Sequence, residues 1–140
     1  MTNVTTEPIY RRKISPLEGM FLHAPYSIVT MTARIKGTVT VDKLGEAVKK
    51  VRARHTNLRL KLEYGDQRDP WFTSHDVQAI PVEVIPRKDD QSWMDVVRHQ
   101  SLIPFDFEIR PAIRFLLVQS PDISELVIFC HHLICDGLSL

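Results

Sequence analysis

The chain has 140 residues, 44% of them hydrophobic and 25% charged, with a formal net charge of +1. That is enough apolar material for one globular domain with a core and too much for a disordered chain. The near-neutral balance, with no basic run longer than Arg11-Arg12-Lys13, argues against nucleic-acid binding. No stretch approaches the roughly 18 consecutive apolar residues of a membrane span, and the opening residues lack a signal peptide's apolar region, so a soluble, cytoplasmic protein is expected.

Residues 1–15 are polar and are expected to be flexible. Pro16 to Leu22 reads as a short helical or turn segment before Pro25. From Ile28 to Lys36, Val29, Met31, Ala33 and Ile35 alternate with Thr30, Thr32, Arg34 and Lys36, the period of a half-buried strand. Gly37 closes it. Thr40 is placed to cap a helix running to about His55, with Leu44, Ala47, Val48 and Val51 on its apolar face and Lys43, Glu46, Lys49, Lys50 and Arg52 on the other, including a favourable Glu46–Lys50 spacing.

Leu58, Leu60, Leu62 and Tyr64 alternate with Arg59, Lys61 and Glu63; the Gly65-Asp66 turn then leads to a return strand around Trp71-Phe72-Thr73. Val82 to Ile85 reads as a short edge strand between prolines. Asp90 is a candidate cap for a helix through Trp93, Val96 and Val97 to about Gln100. The segments Ala112–Val118 and Leu126–His132 are nearly continuous in apolar residues, as in central strands covered on both faces. Irregularly interleaved helices and hairpins predict an α+β layered sandwich with a mixed, largely antiparallel sheet. Trp71 and Trp93 sit beside apolar periodicity and are assigned to the core.

The chemistry concentrates in Phe129-Cys130-His131-His132-Leu133-Ile134-Cys135-Asp136-Gly137, where adjacent histidines end an apolar run and an acid-glycine turn follows. Successive strand residues point to opposite faces, so His131 and His132 serve one site together only if the strand has already broken; one of them is structural. A His132 facing a cavity can act as general base toward an amine or hydroxyl, a role that contributes about 10²- to 10⁴-fold to a rate. Asp136 can orient an imidazole or hold the loop by pairing with an arginine, the more economical of the two. Cys130, His132, Cys135 and Asp136 lack a standard zinc spacing, so no metal site is assigned. Nothing nearby activates Cys135 as a nucleophile, and reduced thiols are expected.

The segment His131-His132-Leu133-Ile134-Cys135-Asp136-Gly137 resembles the HHxxxDG signature of the condensation-domain superfamily, which includes nonribosomal peptide synthetase condensation domains and related acyltransferases. Two further segments are similar to landmarks of that family: Arg54-His55-Thr56-Asn57-Leu58-Arg59 resembles RHxxLR, and Pro104-Phe105-Asp106-Phe107-Glu108-Ile109-Arg110-Pro111 resembles the segment preceding the motif hairpin. The three occur in the family's order and spacing, and the resemblance covers residues 16–140, corresponding to an N-terminal subdomain.

The resemblance implies a chloramphenicol-acetyltransferase-like half that faces a second half, absent here, across a tunnel. It implies acyl transfer from a carrier-protein or coenzyme A thioester to an amine or hydroxyl, giving an amide or ester, with His132 as proton acceptor. The thioester, phosphopantetheine-linked or on coenzyme A, would be substrate, with no covalently bound cofactor. Asp136 would be held by Arg54 or Arg59, with His131 in support, and Gly137 would offer a backbone amide near the reacting carbonyl. The second half's DFGWG-like segment does not occur, so this chain alone is expected to be inactive and to need that half or self-association. The alternative is a noncatalytic domain of the same fold that docks a carrier protein or partner enzyme.

Overall fold

The computed structural model describes residues 7–135. Its elements are strand β1 (Arg11–Lys13), helix α1 (Pro16–Leu22), β2 (Ile28–Lys36), α2 (Val41–Arg54), a 3-10 turn (Thr56–Arg59), β3 (Lys61–Tyr64), β4 (Pro70–Thr73), β5 (Val82–Pro86), α3 (Ser92–Gln100), β6 (Ile113–Gln119) and β7 (Ile123–His131). They form two sheets, one ordered β1-β4-β3 and the other β2-β7-β6-β5. All pairings are antiparallel except β5 with β6, so the α+β layered arrangement with mixed sheets is present.

The larger sheet separates two cores by the two-residue period of its central strands. On one face Ile113, Phe115, Leu117 and Cys130 pack with Leu44 and Val48 of α2, with Leu60 just before β3, and with Leu62 and Phe72 of the smaller sheet. On the other, Leu116, Val118, Val127 and Phe129 pack against Val96 of α3. The near-continuous apolar runs of β6 and β7 therefore mark strands covered on both sides, as their sequence predicts.

β2 behaves differently from its pattern. Among the described residues it pairs only with β7, and α2 packs nearest the opposite edge strand, β5, so Met31 and Ala33 stay exposed although they alternate correctly. Ala47 and Val51 on the apolar face of α2 are exposed for the same reason, while Leu44 and Val48 are buried. Glu46 and Lys50 stand on the solvent face of α2 without closing an ion pair.

Local chemistry explains most boundaries. The Thr40 hydroxyl accepts the Lys43 N–H at 3.2 Å and starts α2. The expected strand at Leu58 begins later, because Thr56–Arg59 first closes a 3-10 turn in which Leu58 is buried. Gln91, not Asp90, precedes α3; the Asp90 carboxylate pairs with Arg87, and the Asp89 carboxylate accepts the Gln91 N–H at 2.8 Å. Residues 11–13 are not loose, since β1 forms the edge of the smaller sheet through its register with β4.

Two charges are buried in the larger sheet. Glu125 of β7, 1% exposed, accepts from Arg34 directly across on β2 at 3.0 Å and from Arg87 at 2.9 Å. Arg114 donates to the carbonyls of Gln100 and Ile103 at 2.6 and 2.8 Å, placing a cation at the end of α3 between Phe105 and Phe129. Replacing Glu125 by alanine removes the carboxylate shared by Arg34 and Arg87 and leaves Arg87 with Asp90 alone, so the urea unfolding midpoint should fall.

Candidate functional site

The two histidines part company where β7 ends. His131 is its last residue; His132 begins a turn through Ile134. His131 is fully buried, and both ring nitrogens are occupied: the Leu133 N–H donates to Nδ1 at 3.0 Å, leaving Nε2 protonated to donate to the Ala24 carbonyl at 2.8 Å. Phe107 and Phe105 meet the ring edge-on, with centroids 4.9 and 6.2 Å away. Burial pushes the imidazole pKa below 6.5, against the raising effect of the Ala24 hydrogen bond.

His132 is half-buried, and its ring is not hydrogen-bonded within the described residues. Its backbone N–H donates to the Ser27 carbonyl at 2.9 Å, and its ring stacks on Phe21 of α1, with centroids 5.2 Å apart and planes at 17°. Phe21, Ala24 and Ser27 were not singled out by the sequence; one apolar residue in a short helix and two backbone carbonyls carry no motif.

The helix that carries Phe21 is firmly seated. Ser15 and Glu18 form a capping box, and Arg12 donates to both Glu18 oxygens at 2.9 and 2.7 Å. The Arg12 hydrogen bonds hold the Glu18 carboxyl down to about 2.

The RHxxLR segment closes the other side of the turn. Asn57 donates to the Ile134 carbonyl at 3.2 Å, a contact hidden among the variable positions of that segment. Arg59 is turned the other way: its guanidinium donates to the Arg52 and Ala53 carbonyls at 2.9 and 2.7 Å and closes the end of α2. Arg54 is exposed and, with Val51, His55, Ile128, Cys130 and Cys135, lines a groove of about 580 Å³ between α2 and the sheet. His132 is not among the residues lining this groove. Asp136 and Gly137 lie outside the described residues.

Cys130 and Cys135, expected as reduced thiols, lie with their sulfurs in contact, because the turn after His131 carries the chain back over the end of β7. Among the described residues no three His, Cys, Asp or Glu side chains are grouped as a metal site. No helix among them is long and apolar enough to cross a membrane.

Residues 16–140 match the family model described as Condensation domain. The chain is 30% identical over 112 residues to the nonribosomal peptide synthetase agiA of Aspergillus flavus, covering 76% of this chain and 1% of that protein. It is 28% identical over 134 residues to the cyclosporin synthetase simA of Tolypocladium inflatum, covering 89% and 1%. It is 25% identical over 125 residues to the beauvericin nonribosomal cyclodepsipeptide synthetase BEA1 of Gibberella fujikuroi, covering 89% and 4%.

Among solved structures, the tallysomycin biosynthesis protein TlmII superposes with a TM-score of 0.75 at 19% identity, covering 92% of this chain and 35% of that one. The starter condensation domain of the rhizomide synthetase RzmA does so with a TM-score of 0.75 at 16% identity, covering 92% and 34%. The fold is thus the chloramphenicol-acetyltransferase-like one of condensation domains, and the chain spans about a third of these solved chains and a few per cent at most of the curated relatives.

The lowered pKa of His131 sets the sign of a pH effect. Below 6.5 an unfolded His131 takes up a proton that the folded ring resists, so its contribution to stability is present above that value and lost as pH falls through the folded pKa. Unfolding midpoints measured on either side of 6.5 should show this loss, and His131→Asn should flatten it.

Proposed function

Because the chain belongs to the condensation-domain family, we propose that it supplies the histidine-bearing half of an acyltransferase, which moves an acyl group from a thioester to an amine or hydroxyl. The observation that carries this reading is the division of labour between the histidines. Both ring nitrogens of His131 are occupied, whereas among the described residues the His132 ring meets only an aromatic face.

In this reading the thioester carbonyl is attacked by the acceptor nitrogen or oxygen while His132 takes the acceptor's proton. The carbon–sulfur bond breaks as the amide or ester forms, and the departing thiolate recovers a proton. The thioester is carried on phosphopantetheine of a carrier protein or on coenzyme A, and the protein need supply no nucleophile. The relatives' names, a peptide synthetase and a cyclodepsipeptide synthetase, favour the carrier-bound donor and are compatible with either acceptor. A second part facing this one completes the tunnel; the solved condensation-domain chains extend well beyond the third that this chain spans.

Asp136 follows Cys135, which lines the groove with Arg54. Since Arg59 is committed to the end of α2, Arg54 is the better partner for the Asp136 carboxylate. Gly137 of the same motif is the candidate backbone donor for the reacting carbonyl.

His132→Ala in the full-length protein should lower product formation by about 10²- to 10⁴-fold while leaving carrier-protein binding unchanged. Product formation that survives the substitution would remove His132 as the base and favour a docking domain of the same fold.

A further inference from the structure

We propose that Phe21 is a positioning residue for His132, holding the imidazole by its face so that the ring edge bearing both nitrogens is presented to the acceptor. This rests on the reading of His132 as general base. The hydrogen bond from the His132 backbone to Ser27 fixes where the residue begins, and leaves both side-chain torsions undetermined. His131 shows the other way to hold an imidazole, by bonding each nitrogen, and a base held so would have no lone pair for its substrate. A stacked ring at 5.2 Å and 17° restricts the imidazole plane and occupies neither nitrogen.

Phe21 can serve as a fixed surface because its helix is held at both ends. Arg12 and the Ser15 cap grip Glu18 at the start of α1. At its end the Ala24 N–H donates to the Phe21 carbonyl at 3.0 Å, and the Ala24 carbonyl in turn accepts from His131. The buried histidine therefore anchors the corner that carries the stacking partner of its neighbour.

The stack also favours the transition state over the ground state. As His132 takes a proton it becomes a cation lying on the negative face of the Phe21 ring, and the attraction grows with that charge. An interaction that strengthens along the reaction raises kcat and leaves KM unchanged. A purely structural Phe21, half-buried against the larger core, predicts instead that leucine, similar in size and apolarity, would serve as well.

The test uses the full-length protein with Phe21→Leu, Phe21→Tyr and His132→Ala. Two readouts are taken: steady-state kinetics, and the rate at which diethyl pyrocarbonate carbethoxylates His132, followed by peptide mass. Phe21→Leu is expected to lower kcat by about two- to tenfold at unchanged KM and to speed carbethoxylation by a similar factor, because the ring is then free to turn its nitrogens out to solvent. Phe21→Tyr, which keeps an aromatic face, is expected to restore both. The proposal is overturned if Phe21→Leu leaves kcat and carbethoxylation as they were, or if its kcat falls equally in the tyrosine variant. A His132→Ala protein that still forms product would defeat the general-base reading and the catalytic part of this proposal, while the carbethoxylation rates would still report whether Phe21 covers the ring.

Discussion

Everything near the candidate site depends on His131 remaining a neutral, fully buried imidazole. Its Nδ1 receives the turn that follows β7, and its Nε2 reaches the corner between α1 and β2. One side chain thereby joins the central strand, the turn bearing His132 and the loop before the edge strand. A buried polar group is costly unless its bonds are met, so the ring tolerates little displacement of any of the three. That intolerance gives the neighbouring His132 a defined place without using its own nitrogens.

The family's landmarks converge on this point in space. Phe105 and Phe107, from the segment before the hairpin, form the aromatic walls around His131. Asn57, from the segment after α2, holds the far end of the histidine turn. Residues separated by long stretches of sequence thus meet as one packed unit. Arg59 of the segment after α2 closes that helix, and Arg114 on β6 closes α3.

The sequence was most legible where a local rule suffices. Thr40 starts α2 by accepting a backbone N–H, and the run from Ile28 to Lys36 is a strand with the bounds its alternation predicts. Periodicity located β6 and β7 because both faces of each are covered. It could not say which helix covers which strand, so the exposure of Met31, Ala33, Ala47 and Val51 was hidden. The separation of His131 from His132 was legible as an alternation, but which ring is buried depends on where the strand stops. Phe21 was illegible because stacking depends on a tertiary approach between residues more than a hundred positions apart, and a single aromatic in a seven-residue helix announces nothing.

That distance has a consequence for how the site comes into being. β2 finds its strand partner in β7, and Ala24 finds His131 across 107 residues. During synthesis α1 and β2 emerge early and must wait, with an open edge and unmet carbonyls, until β7 is made. Closing so long a loop carries its entropy cost before the contacts that reward it, so the histidine turn is assembled among the last parts of this unit rather than serving as its nucleus. The catalytic candidate is therefore the product of completed folding: a chain that has formed α1, α2 and α3 but not yet paired β7 has no site.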